Sequence, residues 1–163
     1  MLSFENKNVV FITTKNLNYI RNSQEISLIK QTCSSILVIG SNNKNYLARL
    51  LHVYIKLIFI SFKRFDVVFI GFAPQFIIPF FRWKLKGAIT IIDFFISFYD
   101  TLVFDRKKFK QHSSIAKLLN KIDKITINFP NYVLCDTKAH SKYFINEFEV
   151  DPSKLTVLYL EAD

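Results

Sequence analysis

The stretch Asn8-Val9-Val10-Phe11-Ile12-Thr13 decides the fold, because four consecutive apolar residues stand between polar ones. β-Branched and aromatic residues in so short a run are typical of a strand that is buried on both faces. Runs of the same kind recur at 35–39, 66–72, 88–92, 132–135 and 155–160. Between these runs lie longer segments in which apolar residues recur every three or four positions, which is the spacing of a helix.

The alternation of short apolar strands with helical segments predicts a parallel sheet that helices cover on both faces. The predicted helices occupy six segments of the chain, at 19–32, 45–64, 75–86, 99–106, 114–127 and 137–148. The predicted fold class is therefore α/β, a Rossmann-like doubly wound sheet in a three-layer α/β/α arrangement. Since 163 residues suit one such domain, we expect a single domain over 1–163.

The charge of the chain is distributed unevenly along its length. The formal net charge is +9, and residues 1–90 contain 12 Lys and Arg but only 3 Asp and Glu. The remaining residues contain 10 basic and 10 acidic side chains, so the first 90 carry the whole excess. A basic and apolar first half predicts an anionic partner, which is either a membrane surface or a nucleic acid.

The segment 45–64 has the most unusual composition of the predicted helices. Apolar side chains cover most of its circumference. The basic side chains and a histidine are spaced by 3, 4 and 7 residues, which places them on one stripe of the helix, namely Arg49, His52, Lys56 and Lys63. One interpretation is a sheet-covering helix with a solvated basic stripe. The other is a helix that meets lipid while its cations meet anionic headgroups. A similar mixture of basic and aromatic residues recurs at 80–86. The second interpretation therefore predicts a set of membrane-facing residues, namely Arg49, Lys56, Lys63, Arg82, Trp83 and Lys84.

A membrane surface is the stronger of the two partner hypotheses. Bulky aliphatic residues separate the cations, whereas readout of a nucleic acid uses a more polar surface, so we predict no nucleic-acid partner. No apolar run reaches the ~20 residues that a spanning helix needs. Cys33 and Cys135 are too far apart in the sequence for a disulfide framework and predict two buried thiols. We therefore expect a cytoplasmic protein, peripheral on the inner face of the cell membrane.

Ligands of open parallel sheets bind beyond the carboxyl ends of the strands, so polar residues that follow strands are candidates for a site. Asp93 follows the apolar run 89–92, where a carboxylate acts as a general base, binds sugar hydroxyls or pairs with a nearby arginine. Asp100 is either a second acid of the site or a first-turn acid favoured by the helix dipole. Arg106 is suited to clamping a phosphate, or else it pairs with a neighbouring aspartate.

Two further candidates lie where the helix at 137–148 begins. Thr137 stands where free N–H groups bind anions, although a plain helix cap is the alternative. His140 lies one turn further and is either a donor to a phosphate or a surface histidine. The sequence contains no metal-ligand spacing, phosphate loop or nucleophile elbow, so we predict no metal and no common nucleotide-binding Rossmann site.

The segment 92–106, IDFFISFYDTLVFDR, resembles the D-x-x-x-S-x-Y-D-T-x-x-x-D-R segment in a bacterial subgroup of family 4 glycosyltransferases. Residues 132–144 are similar to its D-T-x-A-H-x-x-Y-F element, and 151–160 are similar to its P-x-K-L-x-V stretch. The family's Y-x-R-N is matched by Tyr19-Ile20-Arg21-Asn22. The resemblance therefore covers nearly the whole chain.

Enzymes of that family have the GT-B fold, in which two Rossmann-like domains face each other across a cleft. The resemblance implies that this chain is the N-terminal, acceptor-side domain. It also implies that the nucleotide-sugar site, with its Glu-x7-Glu motif, belongs to a C-terminal domain absent from the chain. Transfer in the family is metal-independent, usually retains the anomeric configuration and often uses lipid-linked or saccharide acceptors. No cofactor is expected here, and a nucleotide-sugar donor only together with a C-terminal domain.

The resemblance also implies roles for individual residues. Asp93 and Asp100 are expected near the acceptor hydroxyl or the transferred sugar, as catalytic residues. The residues expected to bind acceptor or phosphate are Tyr19, Arg21, Asn22, Ser97, Arg106, Thr137 and His140. Glu161 stands where the family has a glycine, and the chain ends where the linker between domains is expected. We therefore expect a half-enzyme, inactive without a separate donor-domain subunit, or alternatively a non-enzymatic membrane or adaptor domain derived from a glycosyltransferase.

Overall fold

The computed structural model describes residues 3–158, so the expectation for Glu161 lies outside the described residues. Its strands are β1 (Asn8–Ile12), β2 (Ser35–Ile39), β3 (Val67–Ile70), β4 (Ile89–Asp93), β5 (Tyr132–Cys135) and β6 (Leu155–Val157). They form one sheet in the order β2-β1-β3-β4-β5-β6, and every pairing is parallel. The predicted α/β class with a doubly wound parallel sheet is confirmed.

The helices that connect the strands are α1 (Ile20–Thr32), α2 (Tyr46–Phe59), α3 (Ile78–Leu85), α4 (Ser114–Asn128) and α5 (Lys138–Phe148). A π-helical turn covers Asp100–Asp105, where a short helix is predicted. Helices α2, α4 and α5 are each capped at the start by a polar side chain, which belongs to Asn45, Ser113 and Thr137 respectively. Each of these side chains accepts a hydrogen bond from the backbone N–H three residues later. Such caps satisfy backbone donors that the first turn leaves free.

Two predicted helices are wrong in their bounds. The segment 45–64 is not one helix, because Ile60 is extended and Lys63 lies in a 3₁₀ turn at Phe62–Arg64. Phe62 on that turn is buried, so the chain leaves the helix where this side chain enters the core. The segment 75–86 is divided as well, since α3 begins beside Pro79, which has no N–H to extend a helix backwards.

The two faces of the sheet are covered unequally. The larger core lies between the sheet and α2–α5, while a smaller core lies between the other face and α1. Neighbouring residues of β1 alternate between them, with Val10 in the larger core and Val9 in the smaller. On the α1 side, a cavity of about 310 Å³ lies against Ile91, Leu134 and Thr156 of β4, β5 and β6. Within residues 3–158, no helix other than α1 contributes to the core on this side.

The prediction of two buried thiols holds for only one of the cysteines. Cys135 is buried at the end of β5, whereas Cys33 is partly exposed at the end of α1. Both are free thiols. Cys33 lies against the smaller core, which α1 alone covers, and its position there leaves one side open to solvent.

Candidate functional site

A buried ion pair between Arg21 and Asp93 joins α1 to the carboxyl end of β4. Nη2 of Arg21 donates to Oδ1 of Asp93 at 2.6 Å, and Nε donates to Oδ2, so the pair is bidentate. The Asp93 side chain has no exposed surface, and the guanidinium lies 4.5 Å from the centroid of the Phe95 ring. Burial by itself lowers the pKa of Arg21, but the hydrogen-bonded Asp93 carboxylate outweighs it and raises that pKa.

Of the alternatives for Asp93, the structure shows the pairing with an arginine. A buried carboxylate with both oxygens bound to one guanidinium presents no free oxygen to an acceptor hydroxyl. Arg21 is 8% exposed, and its Nε and Nη2 both donate to Asp93, so its guanidinium has little surface for a phosphate. Both side chains therefore hold α1 against the end of β4. Direct contact with a substrate stays a prediction that requires this pair to open.

Glu25 lies beside this pair and is itself buried. Its Oε1 is 3.8 Å from Nε of Arg21, yet neither carboxylate oxygen of Glu25 has a hydrogen-bond partner among residues 3–158. Burial and then the neighbouring Asp93 carboxylate raise the pKa of Glu25 well above its ordinary range. Glu25 therefore takes up a proton more readily than an exposed glutamate does.

The remaining residues of the Y-x-R-N segment also support α1 from within. Asn22 is buried, and its Nδ2 donates to the carbonyl oxygen of Asn16 at 2.9 Å. Tyr19 is partly exposed, with its ring 5.8 Å from that of Phe72 in an edge-on arrangement. Tyr19 is thus the more accessible of these two predicted binding residues.

Asp123 organises the segment that follows β4, although it lies on α4. Its carboxylate accepts hydrogen bonds from Ser97 Oγ at 2.8 Å, from the Tyr99 N–H at 2.7 Å and from Gln75 Nε2 at 2.9 Å. The residue is 0% exposed; burial raises the pKa of Asp123, and these hydrogen bonds oppose the rise. Ser97 Oγ also accepts from the Asp100 N–H at 2.9 Å. Ser97 is therefore a buried link between Asp123 and Asp100 and has little surface for a ligand.

Asp100, at the start of the π-helical turn, is the more accessible of the two predicted acids. Burial and then the charge of Asp105 raise the pKa of Asp100, while His140 opposes the rise. A partly exposed carboxyl group with a raised pKa accepts a proton more readily than an ordinary aspartate does. Arg106 ends the same turn, is exposed and makes no ion pair within residues 3–158, so its predicted pairing with an aspartate is not found there.

His140 is held by a carboxylate at the start of α5. Its Nδ1 lies 2.6 Å from Oδ1 of Asp136, and its ring stacks on Phe144 with centroids 5.8 Å apart. The side chains of His140 and Asp136 are 40% and 33% exposed. Because Nδ1 is engaged, Nε2 is the nitrogen left for a ligand. Thr137 caps α5 by accepting from the His140 N–H at 3.1 Å, which is the capping alternative predicted for it.

The two motif segments meet because β4 and β5 are neighbours in the sheet. Asp93 pairs in register with Leu134, so Asp100 on one side and Asp136 and His140 on the other follow adjacent strand ends. Their charges act on one another: His140 affects the pKa of Asp100, and Asp136 affects that of Arg21. The result is one partly exposed cluster of two carboxylates and an imidazole above a buried ion pair. Such a cluster is able to hydrogen-bond hydroxyl groups and to move a proton.

Asp123 and Glu25 were not predicted from the sequence as members of this site, and Asp136 was noted only as a polar residue of the segment 132–144, without a role. Asp123 shares a buried face of α4 with Ala116 and Ile127, seven residues before and four after it. This helical spacing indicates that Asp123 faces the core. Asp136 directly follows β5, and Glu25 lies four residues after Arg21 on α1. All three were therefore recoverable from spacing once the helix and strand bounds were known.

The predicted basic stripe of α2 is not all on the surface. Arg49 is 8% exposed, and its Nη1 donates to the carbonyl oxygens of Asn43 at 2.6 Å and Lys44 at 3.2 Å. The prediction that Arg49 faces a membrane is therefore wrong, because its guanidinium holds the loop before α2. Lys84 is partly buried, while three of the predicted cations are exposed, namely Lys56, Lys63 and Arg82.

An exposed apolar surface nevertheless runs along α2 and continues onto α3. Tyr54 joins the two helices, because its hydroxyl donates to the Phe76 carbonyl at 2.5 Å and its ring lies 5.2 Å from Phe81. The α2–α3 surface is made of Leu47, Leu51, Ile55, Ile58, Phe59, Phe80 and Trp83, all among the exposed large hydrophobic residues. Exposed apolar residues grouped in this way are typical of a surface that binds a membrane or another protein.

No helix within the described range 3–158 combines the length and the apolar character that crossing a bilayer requires. No protein-family model matches the chain, and no curated protein matches it either. The case for a function therefore depends on the motif residues and on their arrangement at the edge of the sheet.

Proposed function

We propose that this chain is the acceptor- and membrane-binding half of a glycosyltransferase with the GT-B fold. The complete enzyme transfers a sugar from a nucleotide-sugar to a cell-surface glycan or lipid-linked acceptor. One observation carries the proposal: two of the segments that resemble family 4 glycosyltransferases, 92–106 and 132–144, lie together after β4 and β5. There they bring together Asp100, Asp136 and His140. Open parallel sheets bind their ligands at this edge.

In this proposal, the accessible polar groups contact the acceptor and the buried ones hold them in place. Asp100 and His140 face the acceptor hydroxyl and neighbouring phosphate groups, since each has exposed surface and Nε2 of His140 is free of the Asp136 contact. Arg106 and Thr137 extend the same edge with an exposed cation and an exposed helix start. Asp93 and Asp123 contribute by fixing α1 and the segment after β4.

The α2–α3 surface supports a membrane partner. Its apolar side chains are accompanied by exposed Lys56, Lys63 and Arg82, and the chain carries a net charge of +9. An apolar helix face flanked by cations binds anionic lipid surfaces in the plane of the interface. We place the protein peripherally on the inner face of the cell membrane, where a lipid-linked acceptor is within its reach.

A separate donor-domain subunit is the second proposed partner. Parallel sheets are normally covered on both faces, yet the α1 side of β4, β5 and β6 has an apolar cavity of about 310 Å³. Tyr132 at this side remains 38% exposed. This side of the sheet is therefore suited to contact with the rest of the enzyme, which would supply the nucleotide-sugar site.

The test of the half-enzyme is transfer of a radiolabelled sugar by the tagged chain purified gently from its own membranes. We expect the complex with a donor-binding subunit to transfer sugar to lipid, and the same chain stripped of that subunit to transfer none. Equal transfer by the stripped chain contradicts the half-enzyme, and so does a complex that contains no donor-binding subunit and transfers nothing.

A non-enzymatic peripheral membrane or adaptor domain is the alternative function. The observation that favours it is the occupation of Asp93 and Arg21 by each other, which leaves two predicted functional groups without access to a ligand. This alternative predicts vesicle binding as strong as that of the proposed half-enzyme. It also predicts that Asp100→Asn and His140→Gln change no sugar transfer in the native complex.

A further inference from the structure

The largest cavity described in the structure lies at the opposite edge of the sheet from the candidate site. It has a volume of about 600 Å³ and lies between the last turns of α2 and α3 and the chain that follows each of them. These helices end at Phe59 and Leu85, next to the segments that lead into the first residues of β3 and β4. The cavity therefore belongs to the amino edge of the strands and takes no part in the cluster around Asp100.

The polar lining of this cavity is strongly cationic. Lys63, Lys84 and Lys86 line it, and among residues 3–158 no acidic residue does. Nζ of Lys84 donates to the last carbonyl oxygens of α2, to Leu57 at 2.7 Å and to Ile58 at 2.6 Å. It thereby offsets the negative end of the helix dipole, which would otherwise repel an anion. Lys63 and Lys86 are exposed and make no ion pair within residues 3–158.

The rim of the cavity is aromatic and exposed. Phe59 is 83% and Trp83 is 68% exposed, and both line the same cavity. Nε1 of Trp83 donates to the Phe80 carbonyl oxygen at 3.2 Å, which fixes the ring on the surface, 5.8 Å from the Lys84 ammonium. Exposed aromatic rings beside lysines are the arrangement that settles at the boundary between headgroups and acyl chains.

We propose that this cavity holds the phosphate of an anionic phospholipid headgroup, with Phe59 and Trp83 inserted among the acyl chains. Lys63 and Lys86 supply the uncommitted charges, and Lys84 completes the cationic wall while closing the end of α2. The apolar walls favour a phosphate that is attached to lipid over a free phosphate ion, since only a lipid buries the two aromatic side chains. The proposal rests only on the membrane-binding part of the proposed function, and it assigns the lipid to the end of α2 far from Asp100.

Trp83 is the single tryptophan of the chain, so its fluorescence reports this site without a label. We expect its emission to shift to shorter wavelength with phosphatidylglycerol vesicles and not with inorganic phosphate. Lys63→Gln with Lys86→Gln is expected to weaken vesicle binding about 25-fold, because each lysine near an anionic surface contributes about fivefold. The matched control, Lys117→Gln with Lys121→Gln, removes the same charge from exposed positions on α4.

The outcomes separate this site from membrane binding in general. A large loss in Lys63→Gln/Lys86→Gln and at most a twofold loss in the control support the cavity. Equal losses in both variants overturn it and leave only a net-charge effect. A Trp83 shift with inorganic phosphate but none with vesicles overturns the lipid as the source of the phosphate. If the wild type binds no anionic vesicle at all, the membrane part of the proposed function fails along with the cavity.

Discussion

The carboxyl edge of the sheet buries charged side chains, whereas the α2–α3 surface exposes apolar ones. At the carboxyl edge, Arg21, Asp93 and Asp123 are charged and buried, and each is bound to partners within the chain. On the α2–α3 surface, Phe59 and Trp83 are apolar, exposed and without a covering element within residues 3–158. At the carboxyl edge, these charged groups bind one another or other groups within the chain. The α2–α3 surface leaves apolar area exposed, so it has more area free for a partner.

The comparison teaches that residue type alone overstates how much chemistry a site has available. Charged residues that follow strands predict catalysis, yet the most deeply placed of them, Asp93, is occupied by Arg21. Its neighbours further from the strand end, Asp100 and His140, keep exposed surface. The accessible polar groups of the carboxyl edge therefore lie one layer outside the strand ends.

The largest expected effect concerns the buried ion pair. Arg21→Gln leaves Asp93 and Glu25 buried without a cation, so we expect the free energy of unfolding in urea to fall by about 3–5 kcal/mol. The double variant Arg21→Met with Asp93→Leu removes both charges and is expected to lose much less. If Arg21→Gln unfolds at the wild-type urea concentration, the pair does not support the fold and Asp93 is free for another role.

The second effect concerns the link between α4 and the segment after β4. In Asp123→Asn, an amide replaces one acceptor oxygen, so part of the hydrogen bonding to Ser97 and Tyr99 is lost. We expect about 2 kcal/mol less stability and faster amide hydrogen exchange at Tyr99. The neighbouring exposed substitution Lys121→Gln serves as the control and is expected to change neither. Unchanged exchange at Tyr99 would mean that Asp123 does not hold this segment.

The third effect is a gain in stability, and its size depends on pH. The pKa of Glu25 is raised in the folded chain above the ordinary unfolded value, about 4.3. The contribution of Glu25 to stability is complete below pH about 4.3, and it is lost as pH rises through the pKa of Glu25 in the folded chain. Glu25→Gln does not titrate, so we expect it to stabilise the chain by about 1 kcal/mol at neutral pH and not below pH about 4. Calorimetry over this range tests it, and a gain that persists in acid contradicts burial of the charge.

The smallest effect on stability is expected on the α2–α3 surface. Phe59→Ser and Leu51→Ser change exposed side chains, so the free energy of unfolding should stay within about 0.5 kcal/mol of the wild type. The same variants should weaken sedimentation with anionic vesicles, because less apolar area is buried in the bilayer. A buried control, Leu57→Ala, is expected to lose about 2–5 kcal/mol of stability. Vesicle binding that ignores both serine variants would show that this surface meets something other than lipid.

The sequence was sufficient for the order and type of the elements, because continuous apolar runs at regular spacing leave few alternatives to a parallel sheet. It was insufficient for the site, because pairing is a long-range property. Arg21 and Asp93 are 72 residues apart, and Gln75 and Asp123 are 48 apart. Arg49 shows the same limit, since its stripe position is helical but its guanidinium turns back to the loop before α2.

The measurement that tests the central claim most directly is sugar transfer by the native complex that carries Asp100→Asn together with His140→Gln. The account predicts a loss of at least tenfold in kcat/KM, with vesicle binding and thermal stability unchanged, because both side chains are partly exposed and act on the acceptor. Lys117→Gln in the same complex should transfer sugar at the wild-type rate. Wild-type transfer by the double variant would contradict the account, because the cluster after β4 and β5 would then have no part in the reaction.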